Sequence, residues 1–427
     1  MLNRLDLRGV TGDLRAHLPR PDSSGGGPLA AVQAILADVR RRGDVALREL
    51  TERFDGAAVA ELRVPEAEVS GALDAIDADL RTAIEAAAAG IEDFHRHQLR
   101  PDSTYERDGI VVRGLHRPVD RAGCYVPGGR AKYPSTVLMT AVIARVAGVP
   151  EVVLCVPPDA SGHVPVETLA AAAVAGVDEV YAVGGAQAIG AMAYGTDSIR
   201  PVDVIVGPGN VYVALAKREV AGVVGVPSSF AGPSEVVVIA DETVPPDLAA
   251  VDVILQAEHG PGGLAWLITW SEAAADAIAA EITAQVEASP RRGDIEATFA
   301  EGGHIVLVDG PEQAVAVANL IAPEHLELMT ADPEALVPQI RHAGAVFCGA
   351  WAPASVGDYV AGPSHVLPTD GTARFASALT VADFQKDVHV VTLDRAALEK
   401  AGPHVMTLAE AEGLAAHADS VRRRLAR

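Results

Sequence analysis

Glu324 and His325 stand side by side directly after Pro323. A carboxylate next to an imidazole suits proton transfer, because histidine titrates near neutral pH and burial can tune a glutamate upward. A proline pushes the residue before it out of the helical region. The run from Asn319 to Leu328 therefore predicts a forced bend where both side chains can face a cleft. Taken alone, the two residues are better explained as a surface Glu-His pair at a turn.

Other residue sets could hold a ligand. Asp252, Gln256 and His259 are spaced by four and three in AAVDVILQAEHG, which places them on one face of a predicted helix. Gln256 and His259 could share a metal ion, although a lone helical histidine is commonly structural. Gly357, Asp358, Tyr359, Ser364 and His365 fall in the Gly/Pro-rich stretch SVGDYVAGPSHVLPT. Loops of that kind often carry function, and a polar turn capped by Asp358 explains it equally. Glu412 and His417 are five apart and would point about 140° apart on one straight helix. Spacing alone makes them exposed helix residues. Cys124 is a candidate thiol nucleophile, but no cluster of basic residues is present to lower its pKa. Cys155 reads as inert core.

The elements that must position these groups change character along the chain. Residues 28–42 and 69–97 have helical periodicity. From about residue 120, apolar runs alternate with helical windows. The runs are 151–156, 179–183 and 203–206, and then 235–240, 264–269, 304–308 and 345–348. Such runs predict parallel sheets covered on both faces. Turns containing Gly128, Gly184-Gly185 and Gly207-Pro208-Gly209 lie where strands give way to helices, placing helix N-termini at one sheet edge. That edge binds phosphates and nucleotides in open α/β folds. No G-x-G-x-x-G fingerprint accompanies them. Thr407 to Glu410 reads as a capping box opening a last helix, rich in arginine at its end.

The composition narrows the function class. A formal charge of -23 disfavours nucleic acid and anionic membranes as partners. Three scattered cysteines form neither a disulfide framework nor a zinc ribbon, which fits a reducing cytoplasm. No stretch reads as a signal peptide or a membrane span.

Taken in order, the motifs resemble histidinol dehydrogenases from about residue 30 to the C-terminus. They are YVPGG (125–129), STVLM (135–139), VGGAQAI (183–189), VGPGN (206–210), AGPSE (231–235), QAEHG (256–260), APEHLE (322–327), GDY (357–359), HVLPT (365–369), DFQK (383–386) and EGLAAH (412–417). The resemblance implies oxidation of L-histidinol to L-histidine through the aldehyde with two NAD+, the final step of histidine biosynthesis. It also implies one Zn2+ per subunit and a homodimer with intertwined tails. Gln256, His259 and Asp358 would hold zinc, with His417 supplied from the other subunit. His325 would be the base for the alcohol, and Glu324 would activate water. Ser234, His365 and Glu412 would contact substrate, and Tyr125, Gln187 and Asn210 would contact NAD. The family runs its aldehyde step without a thiol, which demotes Cys124.

The implied fold is two incomplete Rossmann-like doubly wound α/β domains, one inserted in the other. Residues 1–120 and 236–375 would form the first, 121–235 the inserted one, and 376–427 a dimerisation tail. Two stretches depart from the family pattern. Ala352-Pro353-Ala354 stands where members usually carry T-P-E, and Gly225 to Phe230 lacks the usual Asp. Three alternatives remain: a paralogue oxidising another small polar alcohol such as a sulfonated diol, a non-catalytic binding module, and a thiol-dependent aldehyde dehydrogenase.

Overall fold

The computed structural model describes residues 2–19, 28–128, 132–228, 234–260 and 262–427, and the side chain of His259 also lies outside the described residues. In chain order its strands are β1 (Asn3–Asp6), β2 (Ser103–Arg107), β3 (Ile110–Pro118), β4 (Arg121–Tyr125), β5 (Glu151–Val156), β6 (Glu179–Ala182) and β7 (Val204–Val206). They continue with β8 (Glu235–Ala240), β9 (Leu264–Thr269), β10 (Gly303–Leu307), β11 (His325–Met329), β12 (Ala345–Cys348) and β13 (Gln385–Leu393). Three sheets result. A six-stranded sheet has the order β1-β10-β9-β8-β11-β12, a four-stranded sheet β6-β5-β4-β7, and a three-stranded sheet β13-β3-β2.

The two larger sheets are parallel throughout. The reason is visible in β8, where EVVVIA is buried at every position. Successive side chains point to opposite faces. Val236 and Val238 enter one apolar layer while Val237 and Ile239 enter the other. Both faces therefore need apolar residues, and each buried Val or Ile contributes roughly 1.5–3 kcal/mol. The helices Pro246–Leu255 and Glu272–Ala288 supply one covering layer and Pro311–Ile321 the other.

The helices between residues 29 and 96 share one continuous core with the four-stranded sheet. Backbone bonds add to this contact, since Val64 N–H donates to Val180 O and Ala182 N–H to Leu62 O, both at 2.8 Å. Grouping residues 1–120 with 236–375 does not anticipate that packing. The strand order β6-β5-β4-β7 reverses direction at β4, so a crevice opens beyond the carboxyl ends of β4 and β7. There the backbones nearly touch. Gly207 has φ +106°, and a Cβ on it would lie 2.0 Å from Tyr125 O, so only glycine fits.

Four sequence expectations need correction. The predicted helical zone 69–97 is two helices, Glu66–Ala75 and Ala78–Arg96, the second started afresh by Asp77 capping Leu80 N–H. Thr407 does not open a helix. The helix Arg395–Ala411 runs through it, capped by Asp394, and Thr407 Oγ1 donates back to Pro403 O. The chain then breaks at Glu412–Leu414, where Gly413 is left-handed, and a separate helix Ala415–Leu425 follows. Asp252, Gln256 and His259 do not lie on one continuous α-helix, because it stops at Leu255 and Ala257–His259 is a 3-10 turn ended by Gly260 at positive φ. Among the described residues, no helix is long and apolar enough to cross a membrane.

Candidate active site

The helix Pro311–Ile321 ends on Ala322, a non-glycine residue in the left-handed region (φ 54°). Pro323 follows, and the chain enters β11 at His325. The forced bend is real, and it ends in the middle of the six-stranded sheet. β11 lies between β8 and β12, and its first residue pairs with Val236, one residue after Glu235 at the start of β8. Both Glu324 and His325 are buried.

Each ring nitrogen of His325 faces an acceptor. Nδ1 lies 3.2 Å from Glu235 O, and Nε2 lies 3.2 Å from Asp358 Oδ1. Glu324 Oε2 is 3.6 Å from Nδ1 and accepts the Glu235 N–H at 3.0 Å. Burial would lower the His325 pKa, but the Glu324 and Asp358 carboxylates raise it to about 9. Burial raises Glu324 to about 7 despite the opposing His325 charge. Glu324 therefore titrates in the neutral range beside a protonated His325.

The neighbours fix these groups. Asp358 lies in the short helix Ala354–Tyr359, and its backbone carbonyl is 2.9 Å from His365 Nδ1. His365 Nε2 is 3.2 Å from Thr136 Oγ1, on the helix Pro134–Val146. That contact joins the histidine cluster to the four-stranded unit. Phe347 stacks on His325 with ring centroids 6.1 Å apart.

Two buried acids here, Glu235 and Glu327, were not singled out as site residues by the sequence, and Asp252, which was, joins Glu327. Glu235 is raised to about 8, first by burial and then by the Glu324 charge. Its Oε1 accepts the Asp370 N–H at 3.0 Å, and its Oε2 has no partner. Glu327 and Asp252 form a hydrogen-bonded carboxyl pair. Burial raises both; the hydrogen bond and the Asp252 charge raise Glu327 further while that bond lowers Asp252, so Glu327 holds the proton. Glu327 Oε1 also accepts the Ala354 N–H at 3.2 Å, which ties the pair to the helix bearing Asp358. The available signal is Glu327 within an otherwise apolar HLELM strand.

The other expected site residues fall at several places. Gln256 is buried just after the helix Pro246–Leu255, and Ser234 directly precedes β8. Glu412 and His417 are exposed on the C-terminal pair of helices. Among the described residues, no hydrogen bond or ion pair links either to the His325 cluster. No group of three His, Cys, Asp or Glu side chains able to hold a metal occurs among the described residues, which exclude the His259 side chain.

Tyr125, Gln187 and Asn210 come together. All three line a cavity of about 1230 Å3 at the carboxyl ends of β4, β6 and β7, along with Asp55, Lys132 and Tyr212. Tyr125 Oη accepts the Gly185 N–H at 3.1 Å. Asn210 caps the helix Val211–Val220, its Oδ1 accepting from Tyr212 and Val213 N–H. Cys124, next to Tyr125, is fully buried and its thiol is pushed up to about 12, so it is no nucleophile.

Comparison with known proteins finds relatives over nearly the whole chain. A model of the histidinol dehydrogenase family matches residues 19–425. Histidinol dehydrogenase of Geobacillus kaustophilus is 50% identical over 396 residues, covering 92% of this chain and 93% of its own. That of Thermobifida fusca is 47% identical, with 100% and 98% covered. The crystal structure of histidinol dehydrogenase from Elizabethkingia anophelis superposes with a TM-score of 0.94 at 34% identity, covering 99% of this chain and 98% of that one.

Proposed function

The chain belongs to the histidinol dehydrogenase family, and from that premise we propose that it oxidises L-histidinol to L-histidine with two NAD+, as the last step of histidine biosynthesis. The observation that carries the site assignment is the buried Glu324–His325 pair, held between Glu235 and Asp358. Identity near 50% to histidinol dehydrogenases disfavours a paralogue acting on a different alcohol.

Nδ1–H of His325 donates to the Glu235 carbonyl, while Nε2 faces the Asp358 carboxylate and would have to release its own proton before acting as acceptor. Nε2 would take the hydroxyl proton as the carbinol carbon gives hydride to NAD+. Glu324, raised to about 7, would then take a proton from the water that attacks the aldehyde. The second NAD+ would accept hydride from the resulting hydrate, yielding the carboxylate. Ser234, His365 and Glu412 would orient the substrate. Tyr125, Gln187 and Asn210 would bind NAD+ in the cavity that they line.

The donor set suits a zinc ion in part. Gln256 is a buried amide, and Asp358 is a carboxylate directed at the His325 ring. Residues Gln256, His259 and Asp358 would hold the metal, joined by His417 of a second subunit. A metal held by these residues would supply a Lewis acid that positions the reactant, and its charge would offset that of Asp358, which raises His325. Donation of His417 and Glu412 in trans is supported by their exposure and by the tail helices packing chiefly on each other. The inserted-domain arrangement and the exchanged tail are part of the same proposal.

The test is a stoichiometric count. Purified protein is given limiting L-histidinol and excess NAD+, before and after chelation. Two NADH per histidinol, lost on chelation and restored by zinc, is the expected result. One NADH per substrate, or turnover only with another alcohol, would overturn the reading.

A further inference from the structure

Asp55 has no role in the chemistry above, yet it is poorly explained as a structural residue. It is the last residue of the helix Asp44–Asp55 and lines the same cavity as Tyr125, Gln187 and Asn210. Its Oδ2 is sealed from solvent and has no hydrogen-bond partner among the described residues. Burial alone raises its pKa, to about 6. An orphaned buried carboxylate oxygen is destabilising. A ligand hydroxyl donating to it would relieve that cost.

The cavity indicates which hydroxyl. None of Glu324, His325, Asp358 or His365 lines it. A dinucleotide whose nicotinamide reaches His325 must therefore leave its adenosine half in the cavity. Phe54, next to Asp55, also lines the cavity and is 51% exposed, offering an apolar ring face beside the carboxylate. Charge supplies a second constraint. Lys132 is the only Lys or Arg among the described lining residues, and its Nζ is 2.6 Å from Glu167 Oε1. Glu167 Oε2 is likewise buried without a partner. The described lining thus holds carboxylates and no free Lys or Arg for a second phosphate.

We propose that Asp55 accepts the 2′-hydroxyl of the adenosine ribose and, with the Glu167–Lys132 pair, excludes the 2′-phosphate, which makes the enzyme selective for NAD+ over NADP+. This rests on the reading of the cavity as the NAD+ site. A ribose diol offers the two donors that a carboxylate needs. A 2′-phosphate would place a dianion against that carboxylate, and like charges repel strongly in a partly dry site.

The test compares wild type with Asp55→Asn, which is near-isosteric, and with Asp55→Ser. Steady-state rates are measured with histidinol and either NAD+ or NADP+. Inhibition by ADP-ribose, its 2′-phosphate and nicotinamide mononucleotide is measured alongside. In both variants kcat/KM for NAD+ should fall about tenfold, through KM. ADP-ribose inhibition should weaken in parallel, and nicotinamide mononucleotide inhibition should stay as it is. The ratio of NADP+ to NAD+ use should rise at least tenfold. Unchanged ADP-ribose inhibition and an unchanged ratio would overturn the role of Asp55 while leaving the NAD+ cavity in place. Weakened nicotinamide mononucleotide inhibition with ADP-ribose unaffected would put Asp55 on the wrong ribose. A wild-type protein that reduces no NAD+ would remove the underlying reading as well.

Discussion

Replacing Glu235 by Gln should change how stability depends on pH. Glu235 is 2% exposed, and burial with the nearby Glu324 charge raises it from 4.5 to about 8. A carboxyl whose folded pKa is raised stabilises the fold fully below its unfolded pKa. That contribution is lost as pH climbs towards the folded value. Between the two values the loss is roughly 1.4 kcal/mol per pH unit. From about pH 5 to about pH 7 wild type should therefore lose about 3 kcal/mol that the Gln variant keeps. Gln retains an acceptor for the Asp370 N–H, and any constant cost of its unpaired amide cancels in the comparison. Urea unfolding of both proteins at several pH values gives the difference directly. A gap between variant and wild type that stays flat across that range would refute a neutral Glu235.

The remaining expectations concern the chemistry. His325→Asn should lower kcat by on the order of 10²–10⁴ while bound zinc, measured by metal analysis, stays at the wild-type level; parallel loss of metal would make His325 a ligand instead. Cys124→Ala should retain turnover within about threefold, because the buried thiol stays protonated; a folded but inactive variant would restore a thiol mechanism. Co-expressing His325→Asn with His417→Ala should recover about a quarter of wild-type activity, since half of the dimers would carry one intact site if tails are donated in trans. No recovery from the two inactive parents would place His417 in its own subunit's site or outside any site.

Legibility of the sequence follows burial. Strands β5 to β10 and β12 are readable because sheets covered on both faces need unbroken apolar runs. β1 is hidden because NRLD is an edge strand that is mostly exposed. β2, β3 and β13 escape because their sheet is antiparallel and half-exposed, with charges such as Arg113 and Asp387 interleaved. β11 escapes because Glu327 makes it look polar, although a carboxyl pair with Asp252 satisfies that glutamate inside. In the site, glycine-rich turns mark the crevice beyond β4 and β7, which obeys the carboxyl-end rule of parallel sheets. The proton-transfer pair breaks that rule by lying at the amino end of β11, so no periodicity points to it. Its signal is the Pro323-Glu324-His325 chemistry alone. The acids that position it, Glu235 and Glu327, are spread along the chain and meet only through sheet pairing.

The most direct test of the Glu324–His325 assignment is a single-turnover count of NADH in Glu324→Gln with limiting histidinol. Gln keeps the Glu235 N–H contact but cannot take a proton from water. One NADH per histidinol should form promptly, with the second arriving slowly or not at all. Two NADH at the wild-type rate would show that Glu324 does not activate water and that the proton chemistry resides elsewhere.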